Sequence, residues 1–173
     1  TFKANDGTVD SATKTVTINV FKGYLSSATQ LGSDIDGEAA GDNSGSSVSF
    51  NEDATIMAIG AYGNDDNGTD SGHVRIYKYN GSAWAQLGAD INGEAAGANS
   101  GRSISLSSDG KIVAIGAFSK NTPGFLQSGQ VRIYKYNGST WTQLGSDLNG
   151  KTSYEWFGNR VSLSSDGNTI AVQ

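Results

Sequence analysis

Two glycine-containing acidic segments are the parts of the sequence best suited to binding a metal ion. The candidate ligands are Asp34, Asp36 and Glu38 in the first segment and Asp65, Asp66 and Asp70 in the second. Oxygen ligands at alternate positions around the turn at Gly37 suit a hard cation such as Ca²⁺. The alternatives are an Asx turn for the first segment, in which a carboxylate accepts backbone N–H groups, and a solvated loop for the second. Calcium is therefore the one cofactor that the sequence suggests.

Acid–base and nucleophilic catalysis has few candidate residues. The 173-residue chain contains no Cys and a single His, His73, which excludes thiolate chemistry and a zinc site built from several imidazoles. In the repeat described below, Gln130 takes the place of His73, so we expect a polar edge position and not a catalytic base. Trp84 and Trp141 could stack on sugars, but their fixed strand positions favour packing against a neighbouring sheet. Because no acid, base and nucleophile converge, we expect a protein that is not an enzyme.

The composition narrows the range of partners. Twelve Lys and Arg against 17 Asp and Glu give a formal charge of −5, which argues against nucleic acid or an anionic membrane surface as a partner. No apolar run reaches the roughly 18 residues needed to cross a bilayer, so we expect no membrane insertion. The 24 glycines have no three-residue period, and this excludes a collagen-like chain.

An internal repeat dominates the sequence. Residues 31–41 return as residues 87–97 and, in part, as residues 144–150, at spacings of 56 and 57. Residues 74–82 recur unchanged as residues 131–139. Two identical nine-residue stretches at a matched period are the signature of a repeat architecture.

Each repeat contains four predicted strands. They are residues 47–50, 55–61, 73–79 and 84–87 in one copy and 103–106, 111–117, 130–136 and 141–144 in the next. Asp109-Gly110 and Asn80-Gly81 favour tight hairpin turns. The second strand is apolar on both faces, so we expect it to be buried. Four antiparallel strands in a repeat of about 57 residues are typical of a β-propeller blade, and the predicted fold class is all-β.

Two short glycine motifs flank the first two strands of the repeat. Phe157-Gly158 precedes a first strand, and Gly116-Ala117 ends a second strand. These motifs resemble those of the FG-GAP repeat, the blade of integrin α-subunit propellers and of many bacterial surface proteins, although the proline of the second motif is absent. The resemblance covers residues 31–173, with blades at about residues 45–88 and 101–145 and a half blade at residues 158–173.

This resemblance implies an extracellular or cell-surface location in a bacterium, and a protein or a glycan as the ligand. Some blades of the family carry a calcium loop of the type Asp-x-Asp-x-Asp-Gly-x-x-Asp between the first two strands. The corresponding hairpins in this chain are the short segments 51–54 and 107–110. The family's calcium site therefore cannot be transferred to this sequence.

Each end of the chain predicts half a blade. Residues 1–30 form a tail that resembles the last hairpin of a bacterial cadherin-like or immunoglobulin-like domain. In the repeat alignment, however, Ile18 falls on Val74, so the tail also fits the third and fourth strands of a blade. Residues 160–163 and 169–172 fit the first and second strands. The chain thus holds three blade-equivalents, one of them split between the termini.

The split blade predicts self-association. Since a closed propeller needs roughly 4–8 blades, we expect a homodimer in which two chains close head-to-tail into a six-bladed ring. The alternative is a segment of a longer propeller.

The long loops of the repeat all fall at one end of the blades. Long loops on a rigid scaffold are where binding residues concentrate. We therefore expect a non-catalytic extracellular binding or adhesion module that holds a protein or a glycan on its long-loop face. The alternative is a structural self-assembly or spacer unit whose main partner is another copy of itself.

Overall fold

The computed structural model describes residues 17–22 and 29–173. The greater part of the predicted cadherin-like or immunoglobulin-like tail, residues 1–16 and 23–28, lies outside the described residues. Within the described part of the chain, all regular structure is β-strand, and every pairing between strands is antiparallel.

The described residues of the N-terminal half blade form four two-residue strands. They are β1 (Thr17–Ile18), β2 (Phe21–Lys22), β3 (Thr29–Gln30) and β4 (Ile35–Asp36). Strand β1 pairs with β4, and β2 pairs with β3. The register places Phe21 opposite Gln30, just as Tyr77 lies opposite Gln86 in the next blade. These strands therefore have the pairing of the third and fourth strands of a blade.

Blade 1 is the first complete sheet. Its strands are β5 (Ser44–Phe50), β6 (Ile56–Ala61), β7 (His73–Tyr79), β8 (Trp84–Gln86) and β9 (Ile91–Asn92). Strands β5, β6, β7 and β8 are neighbours in that order, and β9 pairs with the beginning of β7.

Blade 2 repeats this order. Its strands are β10 (Ser100–Leu106), β11 (Ile112–Ala117), β12 (Gln130–Tyr136), β13 (Trp141–Gln143) and β14 (Leu148–Asn149). The C-terminal half blade consists of β15 (Val161–Leu163) and β16 (Ile170–Val172), which pair as the first two strands of a blade do. The predicted all-β fold built from four-stranded antiparallel propeller blades is confirmed.

The fourth strand of each blade differs from its prediction. The predicted fourth strands end at residues 87 and 144, but residues 91–92 and 148–149 form β9 and β14 and continue the fourth strand after an interruption. The interruption lies at Gly88 and Gly145, whose φ angles of +83° and +78° suit glycine. The strand bends out of the ladder at these glycines and then pairs again with the third strand.

The core runs through the second strands. Strands β6 and β11 lie between two neighbours in their sheets, and their side chains are almost all buried, as the apolar pattern predicts. One cluster between the blades includes Ala58, Val74, Ile104 and Val113. Trp141 packs against it and donates from Nε1 to the Leu87 carbonyl oxygen at 2.8 Å. The prediction that this tryptophan packs against a neighbouring blade is confirmed.

A close backbone approach joins one blade to the next. A Cβ atom on Gly60 would lie less than 3.0 Å from the carbonyl oxygen of Gly101, so no other residue fits there without a shift of one blade. Ser47 Oγ donates to the same carbonyl at 2.7 Å. Gly116 and Gly158 repeat this approach between blade 2 and the C-terminal half blade. The two glycine motifs of the sequence are thus the two sides of one joint.

Candidate functional site

The long loops share one end of the blades because the strands are antiparallel. This end carries the loops between second and third strands, residues 62–72 and 118–129, and the segments between blades, residues 37–43, 93–99 and 150–160. We call it the long-loop end. The opposite end carries short turns such as residues 80–83, where Asn80 Oδ1 accepts the N–H groups of Ser82 and Ala83.

His73 is buried at the long-loop end. It is the first residue of β7, where it lies between Ala61 of β6 and Asn92 of β9, and its side chain is 1% exposed. The expectation of a polar edge position was wrong, because β9 covers the strand on that side. The Nδ1 atom of His73 is buried and has no hydrogen-bond partner among the described residues. A buried polar atom without a partner needs a physical explanation.

Three carboxylates from three different segments surround this atom. His73 Nδ1 lies 3.7 Å from Asp66 Oδ2, 3.8 Å from Glu38 Oε2 and 4.0 Å from Asp90 Oδ2. Glu38 comes from the segment before β5, Asp66 from the loop between β6 and β7, and Asp90 from the bend before β9. One potential ligand atom of each of the four side chains lies within 4.8 Å of all the others. We call these four residues the His73 cluster.

The orientation of two of these carboxylates is fixed by their other oxygen. Glu38 Oε1 accepts a charged hydrogen bond from Arg75 Nη1 at 3.2 Å. Asp90 Oδ1 accepts a hydrogen bond from Gln86 Nε2. Arg75 also donates from Nη2 to the Asp36 carbonyl oxygen at 3.0 Å, which anchors the segment that carries Glu38. The oxygens Oε2 and Oδ2 are thereby turned toward His73.

At the equivalent site of blade 2, hydrogen-bond donors and cations are paired with the acidic side chains. Gln130 Nε2, in the position of His73, donates to Asp147 Oδ2 at 3.1 Å and to Asn149 Oδ1 at 3.2 Å. Glu94, in the position of Glu38, pairs with Arg132 at 3.3 Å and with Lys120 Nζ at 3.6 Å. In blade 2 the acidic side chains are thus paired with amide, ammonium and guanidinium groups. The site in blade 1 instead has an imidazole and an additional carboxylate.

The six predicted calcium ligands lie in different places. Glu38 and Asp66 belong to the His73 cluster. Asp34 accepts a hydrogen bond from Gln30 Nε2 at 2.6 Å, and Asp65 Oδ1 accepts the N–H of Asp70 at 2.8 Å. The Asp36 carbonyl oxygen accepts a hydrogen bond from Arg75 Nη2, as described above. Calcium binding at the six residues stays a prediction.

An apolar patch is exposed elsewhere on the long-loop end. It consists of Phe125, Leu126, Tyr154 and Trp156, which are 40%, 56%, 59% and 49% exposed. We call it the aromatic patch. The Tyr154 N–H donates to the Leu126 carbonyl at 2.8 Å, so the segment between blades lies directly beside the loop of blade 2. Sequence reasoning missed the patch because its residues belong to non-repeating loops.

The backbone that presents the patch is ordered by its own hydrogen bonds. Tyr154 and Trp156 have φ angles of +62° and +55°, a region that non-glycine residues rarely adopt. Glu155 Oε2 accepts the N–H groups of Lys151 at 2.6 Å and Thr152 at 3.1 Å. These backbone bonds lower the pKa of the Glu155 carboxyl. The corresponding positions before blades 1 and 2 also have positive φ angles, so this backbone conformation is a feature of the repeat.

Comparison with known proteins gives one family match. Residues 34–77, about a quarter of the chain, match the FG-GAP repeat. The matched segment begins before β4, contains Glu38, Asp66 and His73, and ends within β7. FG-GAP repeats are typically extracellular. No curated protein matches the sequence.

The family match defines the class of module but does not reach the first 33 residues. Together with the observed blades, it identifies a propeller-type repeat module. The resemblance of residues 1–30 to a cadherin-like or immunoglobulin-like hairpin and the bacterial source are not supported by the match. Among the described residues, no helix is long and apolar enough to cross a membrane.

Proposed function

We propose that this chain is a non-catalytic binding module of a bacterial extracellular or cell-surface propeller, and that it holds a protein ligand on its long-loop end. The aromatic patch is the observation that carries this proposal. Its four large apolar side chains are all at least 40% exposed. Contiguous exposed apolar residues mark interaction sites in soluble proteins.

The composition of the patch favours a protein over a glycan. Trp and Tyr are the residues most enriched at the centres of protein interfaces, and Leu126 and Phe125 add apolar area without polar groups. A glycan would also need several polar groups that converge on its hydroxyls. A glycan ligand is therefore the second outcome of the test, and not the expected one.

Substitutions that preserve the local backbone test the proposal. In Tyr154→Asn and Trp156→Asn the new residue tolerates the left-handed conformation. Leu144→Ser is a matched control, because Leu144 is also 46% exposed but lies at the end of a fourth strand. The probes are an extracellular-matrix protein array and a glycan array.

We expect binding to a protein on the array that both Asn variants reduce at least tenfold and that Leu144→Ser leaves unchanged. Loss of one well-packed interface aromatic of this type costs about 2 kcal/mol or more. If the chain bound only glycans on the arrays, the ligand would be a carbohydrate and not a protein. Binding that the Asn variants do not weaken would refute the assignment of the site.

Self-assembly remains a second candidate function because of an open sheet edge. In blades 1 and 2 the second strand pairs with a third strand, but within the described residues β16 pairs with β15 alone. Strands β1 and β2 have the register of a third strand. We propose that β16 pairs with the β1–β2 segment of a second copy, so that two chains close a six-bladed ring.

The solution mass tests this assembly. Light scattering after size exclusion should give twice 17.9 kDa. Ile170→Lys, which places a charge on the open edge strand, should reduce the mass to that of one chain. A monomer in the unmodified chain, or a dimer that this substitution leaves intact, would overturn the closed ring.

A further inference from the structure

We propose that the His73 cluster is a binding site for a divalent transition-metal ion, best represented by Zn²⁺, that ties blade 1 to the segment preceding it. The site would be structural and not catalytic. This inference goes beyond the binding function and does not depend on the aromatic patch.

The buried imidazole is the first step of the argument. His73 is 1% exposed, and its Nδ1 atom has no hydrogen-bond partner in the part of the chain that the structure describes. The atom nevertheless points at three carboxylates at 3.7–4.0 Å, distances too long for a hydrogen bond. A metal ion between these groups would be coordinated by the lone pair of the Nδ1 nitrogen.

The spacing of the four side chains is the second step. Zn²⁺ binds imidazole nitrogen and carboxylate oxygen at about 2.0–2.2 Å in a tetrahedron, which places any two ligand atoms roughly 3.3–3.6 Å apart. The carboxylate oxygens lie 3.7, 3.8 and 4.0 Å from the nitrogen. Each carboxylate oxygen would therefore need to approach the nitrogen by only a few tenths of an ångström, and the oxygens, which lie within 4.8 Å of one another, would close toward the same spacing of roughly 3.3–3.6 Å.

The chemistry of the ligands decides between cations. Ca²⁺ takes oxygen ligands almost exclusively, and the most buried member of this cluster is a nitrogen. Imidazole together with carboxylate suits Zn²⁺ and its first-row neighbours. The ion expected here is therefore different from the calcium that the acidic segments alone suggest.

Charge balance supports a divalent ion. The cluster contains Glu38, Asp66 and Asp90, and within residues 17–22 and 29–173 Arg75 is the Lys or Arg side chain that pairs with it. One guanidinium leaves two negative charges for the ion to neutralise when His73 is neutral. In blade 2, Glu94 and Asp147 are balanced by Arg132 and Lys120, with Gln130 as an amide donor. The chain thus contains both the site and a version of it that needs no metal.

The competing interpretation is an ion network without a metal. A protonated His73 would carry the charge that faces the carboxylates, and the site would then resemble that of blade 2. This interpretation predicts no uptake of metal, and the same experiment distinguishes it.

The experiment measures zinc stoichiometry and affinity on the full chain. Isothermal titration with Zn²⁺, and metal analysis after dialysis, would be applied to the unmodified chain, to His73→Gln and to Asp66→Asn. Glutamine is the residue that blade 2 uses at this position, and Asp66 is 49% exposed, so both variants should fold. Asp147→Asn, which changes the blade 2 site, is the matched control. Far-ultraviolet circular dichroism checks that each variant retains its β-structure.

We expect one Zn²⁺ per unmodified chain and per Asp147→Asn chain. Loss of a metal ligand should weaken binding at least as much as loss of an outer-shell partner, about 10–100-fold, so both cluster variants should fall by at least tenfold. Histidine ¹⁵N resonances should show a zinc-dependent shift at Nδ1. Absence of zinc binding to the unmodified chain, or equal binding by His73→Gln, would overturn the proposal.

Discussion

Replacement of Gly60 by alanine should separate blade 1 from blade 2. The new Cβ atom would lie less than 3.0 Å from the Gly101 carbonyl oxygen, which belongs to the backbone of the neighbouring blade. Backbone cannot rotate away as a flexible side chain can. The two blades must therefore move apart by about 1 Å, since a carbon and an oxygen rarely approach closer than about 3.2 Å.

The expected loss of stability follows from what this movement breaks. Overpacking a well-packed contact costs about 1–3 kcal/mol. Two hydrogen bonds cross the same joint: Ser47 Oγ donates to the Gly101 carbonyl at 2.7 Å, and the Leu106 N–H donates to Ser49 Oγ at 3.0 Å. Each is worth about 1 kcal/mol. Gly60→Ala should thus lower the free energy of unfolding by about 3–5 kcal/mol, or Tm by about 6–20 °C.

A second glycine provides the control for the assay. Gly97 has a φ angle of +71°, and no atom of the described residues lies within 4 Å of the position of an added Cβ, so Gly97→Ala should lose only the backbone conformational term of about 1–2 kcal/mol. Thermal unfolding followed by circular dichroism compares the two variants. If Gly60→Ala loses no more stability than Gly97→Ala, the close approach does not hold the blades together.

Two further substitutions test the packing and the turns. Trp141→Phe removes the indole N–H that donates to the Leu87 carbonyl at 2.8 Å, and it should lower Tm by about 2–4 °C for a loss of about 1 kcal/mol; no change would mean that this bond is dispensable. Bonds from the Lys111 N–H and the Ser107 hydroxyl lower the pKa of the Asp109 carboxyl in the folded chain. This group therefore stabilises the fold above its unfolded pKa of about 3.9 and loses that effect as the pH falls further. Asp109→Ala should thus lower Tm more at pH 7 than at pH 2, and an equal effect at both values would contradict this account.

The repeated parts of the fold could be predicted from the sequence. A second strand apolar on both faces has one place in a blade, between two neighbours, and β6 and β11 lie there. The continuation of the fourth strand into β9 could not be predicted in the same way. Gly88 signals an interruption, and no local pattern shows that residues 91–92 return to the same sheet.

The His73 cluster could be predicted only in part, because its members are distant in sequence. Glu38 and Asp66 stand out as acidic residues near glycine, but Asp90 approaches His73 only after β9 pairs with β7. One signal was present in the repeat. Between the two copies of the repeat, Gln130 replaces His73, and the second copy also has Lys120 in its preceding loop. Two differences that occur together in this way indicate residues that share one site.

The joint between blades also determines how the number of blades can change. The bond from Ser47 to Gly101 recurs as the bond from Ser103 to Gly158, at 2.7 Å in both joints. Each unit therefore presents the same donor side forward and the same acceptor side backward. The stability of such an array is approximately the sum of the stabilities of its units and the interaction energies between neighbouring units. Duplication or deletion of a whole unit in the gene would leave every remaining joint intact, so blade number can change in evolution without a new interface.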